Sequence, residues 1–445
     1  MLKFFKQSAN YQKYLSNTSW LVAERVIRLT VVLLVGIYVA RYLGPDRFGL
    51  LNYAHSFVGL FSAIATVGLD GIVVRELVKQ SERDNLLLGT AFVLRLGGTI
   101  VMCIAIALSV QMTSNNTYTN LLVTIIAVGT FFQTLNVIDF SFQSKVQSKF
   151  VVFAQLIQLF ISAISKLFLI WIEASLIWFA SVILLDAITL AAGLIWIYHK
   201  QANKIESWRW DSRIAWKLLK DSWPLILSGL VISIYMKIDQ VMIKEMLDNQ
   251  AVGHYAAAVK LSTAWYFVPI AITSSLFPAI VNAKQFSTAT YHSRIQKLFD
   301  FMVWISVGIA IPTTFLAEWV IAGLFGDSYL PAAGVLKIHI WAGVFVFLGV
   351  ASSKWVLSEN LTIFSFYRTL GGAIINVILN YFFIPEYGIQ GAAFATLISQ
   401  IVASTISYAA TKRTMPIFSM QIQAIIFFHV LKNILPFYKK SLFNR

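Results

Sequence analysis

Polar residues along this chain fall in short clusters, separated by apolar runs that repeatedly exceed about 18 residues, the length that argues for a membrane-spanning helix. The runs are too long and continuous for barrel strands, so the pattern predicts an all-α polytopic membrane protein. Twelve spans are predicted, near 17–41, 48–70, 86–110, 119–140, 150–172, 175–198, 216–243, 254–282, 299–325, 331–357, 362–384 and 389–411. The connections are short. The longest internal one, HKQANKIESWRWDSRIAWKLLK, joins the sixth and seventh spans and is rich in Lys and Arg. The pattern therefore divides the chain into a six-helix lobe over 1–199, a basic cytoplasmic linker over 200–215, a second six-helix lobe over 216–412 and a tail over 413–445. In the tail, IIFFHVLKNILPFY is broken by Lys432 and Pro436 and is too short for a thirteenth span; it reads as an interfacial amphipathic helix with a basic face. MLKFFKQSANYQKYLSN has no small-residue cleavage site, so a retained first span is expected rather than a signal peptide.

The two halves echo each other. RYLGPDRFGLLNYAHSF follows the first span and KEMLDNQAVGHYAAAVKL the seventh, with Gly49 and Gly253 each opening a helix after a short turn; SKFVVFAQLIQLF resembles ENLTIFSFYRTLG. Six spans is an even number, so both halves would insert the same way up, related by a pseudo-twofold axis along the membrane normal.

Composition agrees: 58% of residues are hydrophobic, 14% aromatic and 12% charged, with mean hydropathy +0.73, against about 25% charged in soluble domains. In a soluble chain the net charge of +15 would suggest nucleic acid; here the positive-inside rule accounts for it, and no nucleic-acid partner is expected. With the N-terminus in the cytoplasm, 23 of the 35 Lys and Arg fall on cytoplasmic segments and only Arg41, Arg47, Lys244 and Lys337 on the far side, which puts both termini in the cytoplasm. The one cysteine, Cys103, lies in an apolar run, so a disulfide framework or a cysteine metal site is excluded.

Eight cations remain inside the spans: Arg25, Arg28, Arg95, Lys166, Lys237, Lys260, Lys354 and Arg368. The acids read there are Glu24, Asp186 and Asp239, an excess of about five positive charges. A cation at the bilayer centre costs about 2.5–3.5 kcal/mol and normally faces a cavity or a partner. Snorkelling to the interface accounts for Lys166 and Lys354, and is an open alternative for Lys237, Lys260 and Arg368. It fits poorly for Arg25, Arg28 and Arg95, nearer mid-span. At about 100° per residue, Glu24, Arg25 and Arg28 share one arc, and Glu24 with Arg28 is an i,i+4 pair. One carboxylate cannot neutralise two guanidiniums, so the arc points to a polar cavity that accepts an anion. Arginine's planar fork suits phosphate oxygens. Gln133, Asn136, Gln155 and Gln158 lie in the same half and could bond sugar hydroxyls, although each taken singly reads more readily as an interhelical contact.

In the second half, Asn376 and Asn380 stand one turn apart in the eleventh span and Thr396 in the twelfth, while Asp239 lies within the seventh. An acid, two side-chain carbonyls and a hydroxyl suit a small monovalent cation. The same acid could titrate with protons, and a purely structural hydrogen-bond cluster is the alternative. No G-x-x-x-x-G-K-[ST] and no H-E-x-x-H occur, and the far-side loops are short; transport driven by a gradient fits better than enzymatic chemistry.

RYLGPDRFGLLNYAHSFVGLF, GLDGIVVREL, SIYMKIDQVMI and IPEYGIQGAAFATLIS resemble the polysaccharide-biosynthesis transporters of the multidrug/oligosaccharidyl-lipid/polysaccharide exporter superfamily, with the O-antigen repeat-unit flippases as the nearest branch. The resemblance runs over all twelve spans. It implies two six-helix lobes in a V around a central cavity, in a bacterial inner membrane. It also implies alternating access that carries an undecaprenyl-pyrophosphate-linked oligosaccharide to the periplasmic leaflet. By location Arg25, Arg28 and Arg95, with Lys237 and Lys260, match cations that engage the pyrophosphate; Glu24, Gln133, Asn136 and Gln155 would support the cavity. Asp239, Asn376, Asn380 and Thr396 match a coupling-cation site, with Asn380 where an acid can stand, which leaves sodium and proton open. No cofactor is implied. The partners implied are the lipid-linked oligosaccharide, membrane lipids, and a polysaccharide polymerase with its chain-length regulator. A multidrug or cation antiporter of the same superfamily is the first rival, disfavoured by the interior positive charge; an O-antigen polymerase or ligase is the second, disfavoured by the short far-side loops.

Overall fold

The computed structural model describes residues 2–426 apart from 114, 203 and 360. Among the described residues the chain is helical throughout: α1 (Leu2–Leu60), α2 (Ser62–Thr66), α3 (Asp70–Lys79), α4 (Asp84–Val110), α5 (Thr117–Gln133), α6 (Val137–Ser144), α7 (Ser148–Trp171), α8 (Leu176–Lys200), α9 (Ser212–Met246), α10 (Asn249–Thr263), α11 (Phe267–Phe286), α12 (Thr288–Phe325), α13 (Pro331–Ser358), α14 (Thr362–Ser404) and α15 (Met415–Ile425). Most of the IIFFHVLKNILPFY segment and the rest of the chain to residue 445 lie outside the described residues.

Among the described residues, ten stretches are long and apolar enough to cross a membrane. Two of them carry two predicted spans each. Ser19–Leu60 holds the first and second, split at Gly44 (φ 68°), and Ile363–Ala410 holds the eleventh and twelfth, split at Gly388 (φ 58°). Both glycines lie in the left-handed region, where a Cβ is strained and glycine is not. Pro45 follows the first and Pro385 precedes the second, so each break is written into the turn residues. An unbroken 42-residue helix would run about 63 Å, twice the hydrocarbon thickness of about 30 Å.

The repeat is also visible in local structure. The helix that follows Gly49 breaks at Phe61, between α1 and α2; the helix that contains Gly253 breaks at Ala264–Tyr266, at a matching distance from its glycine.

Contacts divide the chain into two compact units, Met1–Gly253 and His254–Arg445. In the first, α1 packs on α5, α7 and α9, and α8 on α5 and α7. A buried cluster including Leu69, Leu77, Leu88, Ile138, Tyr198 and Leu218 ties α3, α4, α6, α8 and α9 together at one end. The same end carries the ionic groups of the basic segments: Lys217 and Arg75 on buried Glu76 (2.7 and 3.2 Å), Arg75 on Asp221 (2.8 Å), and Lys145 on Asp84 (3.1 Å). The 200–215 linker is built into this end. Trp208 donates from its indole N–H to the Tyr198 hydroxyl (3.1 Å), the Arg209 amide donates to the Asn85 carbonyl (3.2 Å), and the Asp211 amide donates to Thr90 Oγ1 (3.1 Å). Gly89 leaves room for that crossing, because a Cβ there would come within 2.6 Å of the Arg209 carbonyl oxygen.

In the second unit α12, α13 and α14 pack in sequence, with α11 and α15 against α12. Phe299, Met302, Phe347, Leu348, Tyr408 and Ile417 form its core. Here the helix ends differ from the sequence reading. α12 starts at Thr288, capped by Ser287, not near 299; at 38 residues it is about 57 Å long and extends past a bilayer. Hydropathy registers only the apolar part of such a helix, while Arg294 and Lys297 continue it without a break.

Large apolar side chains cover the outside, with Phe315 82%, Trp171 77% and Trp319 76% exposed. In water this would be an aggregation surface; against lipid tails such a coat carries no transfer cost.

Candidate functional site: a polar cavity in the first unit

The Glu24–Arg28 pair forms as its i,i+4 spacing requires, with Arg28 Nε donating to Glu24 Oε1 and Glu24 buried. The rest of the Arg28 fork reaches α7: Nη1 donates to Gln158 Oε1 (3.4 Å) and Nη2 to the Gln155 carbonyl (3.3 Å). Arg28 is thus neutralised and held. The surplus charge of the arc falls to Arg25, which is exposed and bonds no described residue.

Gln155 has a second neighbour. It lines a cavity of about 240 Å³ together with Asp70, Arg95, Asn136, Asp139 and Gln143. Arg95 is buried there, donates from Nη2 to Asp70 Oδ1 (2.6 Å) and lies 5.1 Å over the Phe140 ring. Its Nε and Nη1 are buried without an acceptor. Asp139 accepts from Gln143 Nε2 (2.8 Å). A buried guanidinium with unmet donors is costly, and it is the group here that an incoming phosphate or hydroxyl oxygen would satisfy. The carboxylates and amides around it can accept from sugar hydroxyls.

Asp70 and Asp139 correct the charge reading. They fall within the second and fourth predicted spans, yet the acids counted there omit them. The interior is accordingly less positive than the sequence count gives, and this cavity holds two carboxylates beside one guanidinium. Their signal in the sequence was an acid near the end of an apolar run, in GLDG and NVIDF. Asp70 also opens α3, where a negative charge complements the helix dipole.

Arg95, Asn136 and Gln155 are therefore brought together, with Glu24 and Arg28 on the far side of Gln155. Gln133 is exposed and outside the lining, and Lys237 stands apart on α9, its stem against Gly59 of α1. Lys260 belongs to the second unit, half-buried and engaged with a neighbour. Lys166 does not snorkel: its Nζ donates to Ser162 Oγ (2.8 Å) and sits 3.7 Å from Asp186. Arg368 donates to the Ala403 carbonyl (3.2 Å) and to Ser353 Oγ (2.8 Å), fastening α14 to α13.

Of the residues read as a cation site, three gather in the second unit. Asn376 and Asn380 are fully buried; Asn380 Nδ2 donates to Asn376 Oδ1 (3.2 Å) and Asn376 Nδ2 to Ser399 Oγ (3.5 Å). Thr396 Oγ1 shares a hydrogen bond with the Tyr255 hydroxyl (3.2 Å). Asp239 is buried in α9 of the first unit. Tyr255 and Ser399 escaped the sequence reading because hydroxyls are common in apolar helices.

Outside the spans, the Lys217 ammonium bonded to Glu76 holds that carboxyl below the usual carboxylate range. Burial opposes the shift, while the charge of Lys217 and the nearby Arg75 and Lys79 reinforce it.

The chain matches the MatE family profile over residues 224–382. It is 24% identical over 169 residues to the probable low-salt glycan biosynthesis flippase Agl15 of Haloferax volcanii, covering 37% of this chain and 35% of the relative. It is 25% identical over 184 residues to the probable flippase AglR of the same organism, covering 40% and 38%. The chain thus spans little more than a third of these curated relatives' lengths. Among solved structures it resembles an inward-facing multidrug resistance MATE family transporter of the MOP superfamily (TM-score 0.72, 15% identity, 88% of this chain and 95% of that one). It also resembles the lipid II flippase MurJ in an inward closed conformation (TM-score 0.62, 15% identity, 94% and 93%). At these identities the likeness to solved structures is one of fold. The profile described as Polysaccharide biosynthesis protein matches residues 14–284, more than half of the chain, and the protein belongs to that family.

Proposed function

We propose that this protein is a flippase that moves an undecaprenyl-pyrophosphate-linked oligosaccharide, an O-antigen or related surface-polysaccharide unit, from the cytoplasmic to the periplasmic leaflet of a bacterial inner membrane. The observation that carries the reading is Arg95: a buried guanidinium with two unmet donors on a polar cavity within a membrane helix bundle. Arg28, bonded to the Gln155 carbonyl, to Gln158 and to Glu24, offers only the guanidinium hydrogens those partners leave over. Arg25, exposed beside it, is the cation through which a phosphate headgroup enters, with Lys237 a further cation of the same unit. Asn136, Gln155 and Asp139 receive sugar hydroxyls, while Glu24 holds Arg28 in place. The polyprenyl tail stays in lipid, and two six-helix lobes alternate access. Asn376, Asn380 and Thr396 of the second unit offer their oxygens to the coupling cation, and Asp239 of the first unit is a separate titratable candidate for coupling. Both termini are cytoplasmic, and a polymerase with its chain-length regulator takes up the product. The flippase names of the Haloferax volcanii relatives support this reading.

A second reading, a cation or multidrug antiporter, is favoured by Asp70 and Asp139 in the same cavity and by the MatE match. Translocation of lipid-linked oligosaccharide in proteoliposomes separates the two. For the flippase, Arg95→Gln lowers the rate by about tenfold or more, the effect of losing a charge-assisted bidentate contact, while Asp139→Asn leaves pyrophosphate affinity within about threefold. Asp139→Asn that instead abolishes cation-driven efflux of a lipophilic cation, with no lipid-linked oligosaccharide moved by wild type, establishes the antiporter.

A further inference from the structure

A cavity of about 630 Å³ lies in the second unit where α12, α13 and α14 meet, and it shares no residue with the polar cavity of the first unit. Small-molecule sites fall in the range of about 300–1,000 Å³. Glu318 of α12, Lys337 of α13 and Gln390 of α14 supply its polar groups, and Leu330, Pro331 and Ile338 its apolar wall. Lys337 Nζ donates to Glu318 Oε1 (2.6 Å), with Glu318 exposed and Lys337 half-exposed. Gln390 lies against α13 because position 334 is glycine: a Cβ there would come within 2.4 Å of the Gln390 amide nitrogen.

The cavity sits near one end of its helices. Glu318 precedes the end of α12 at Phe325, and Lys337 follows the start of α13 at Pro331, each by about 10 Å of helix axis. The neighbouring Trp319 is exposed, as aromatic rings at a membrane–water boundary are. Away from that end, α12 presents a continuous apolar track. Trp304, Ile311 and Phe315 precede Glu318 by 14, 7 and 3 residues and are all exposed. With Glu318 they fall within one arc of about 60°. The track is about 21 Å long, more than the ~15 Å that is half the hydrocarbon thickness.

We infer that this cavity binds a zwitterionic glycerophospholipid with a primary-amine head group, of the phosphatidylethanolamine class, its acyl chain lying on the α12 track. The head group's ammonium donates to the Glu318 carboxylate and its phosphate accepts from the Lys337 ammonium, while the Gln390 amide can serve either. An exposed ion pair is worth little by itself, so exchanging the Lys337–Glu318 bond for two charge-assisted bonds to the lipid is readily reversible. A zwitterion leaves both side chains paired. An anionic head group would set a phosphate against Glu318 with no cation between them, and a choline head group has no N–H to donate.

This site stands or falls independently of the flippase reading. Its test is thermal unfolding of the purified protein in detergent, titrated with dioleoyl phosphatidylethanolamine, phosphatidylcholine or phosphatidylglycerol, with native mass spectrometry counting bound lipid. The ethanolamine lipid should raise the midpoint at about tenfold lower concentration than either of the others. Glu318→Gln should erase the preference over choline, because the ammonium loses its carboxylate. Lys337→Gln should weaken ethanolamine and choline lipids alike, by about tenfold, because both present the same phosphate. Both variants should keep their lipid-free midpoint near wild type. A wild type that answers equally to the three lipids overturns the site, and that comparison decides even where a variant fails to fold. Variants that keep the ethanolamine preference also overturn it; a drop in their lipid-free midpoint then marks the pair as a brace between α12 and α13. Glycerophosphoethanolamine, which has the head group without the chains, should not shift the midpoint where the lipid saturates. An equal shift would reassign the cavity to soluble amine phosphates and overturn the lipid.

Discussion

Gly49 and Gly253 occupy each other's contact surface. A Cβ on Gly49 would run into the carbonyl of Asn249, and a Cβ on Gly253 into the carbonyl of Pro45. The two helix starts cross backbone to backbone, each using the gap the other's missing side chain leaves. Below the crossing α1 and α9 stay paired, through Tyr53 with Glu245 (2.9 Å) and Ser56 with Gln240 (2.9 Å).

Gly49→Ala and Gly253→Ala are therefore each expected to destabilise the first unit by about 1–3 kcal/mol, as overpacking against backbone does. Backbone cannot rotate away as a side-chain tip can. Thermal unfolding in detergent checks this; Gly71→Ala, where a Cβ meets open space, is the control and should move the midpoint little.

Arg95→Lys tests whether the cavity uses charge or geometry. Lysine keeps the charge but loses the fork that binds Asp70 while leaving two N–H groups for a ligand. Translocation of lipid-linked oligosaccharide is expected to fall about tenfold, with membrane insertion unchanged on a blot of the membrane fraction. A rate within twofold of wild type, roughly the scatter of such assays, would make Arg95 a structural cation only.

The Glu76 cluster predicts an acid-labile end. Because Lys217 lowers the folded-state pKa of Glu76, the stabilisation is fully present above the unfolded value of about 4.3 and is lost as pH falls through the lower folded value. The unfolding midpoint should drop over that acid window in wild type, and the drop should be smaller in Glu76→Gln. At neutral pH the same substitution should cost about 1 kcal/mol, since Lys217 and Arg75 are half-exposed and water can take them over.

Sodium should raise the unfolding midpoint in proportion to its binding, and Asn380→Leu should remove that rise. Asn376, Asn380, Thr396 and Ser399 present neutral oxygens, which coordinate a hard cation but do not titrate. A midpoint that follows pH but not sodium, in differential scanning at matched ionic strength, would reassign the coupling to protons.

The sequence by itself determined the twelve-span pattern, the two glycine breaks in LGPDRFG and IPEYGIQG, and the pairing of Glu24 with Arg28, because hydropathy, turn chemistry and the 3.6-residue period all act between near neighbours. It also singled out Arg95, Asn136 and Gln155, since polar groups in hydrocarbon stand out wherever they face. Only the tertiary structure decided what each of those groups meets. Arg95 finds Asp70 on another helix, Lys166 turns inward to Ser162 and Asp186, and Arg25 is left outside. A charge in an apolar run reads the same whether it faces lipid, a partner or a cavity. The choice is made by helix rotation, and rotation is set by how backbones pack at places such as Gly49 and Gly253, far from the charges themselves.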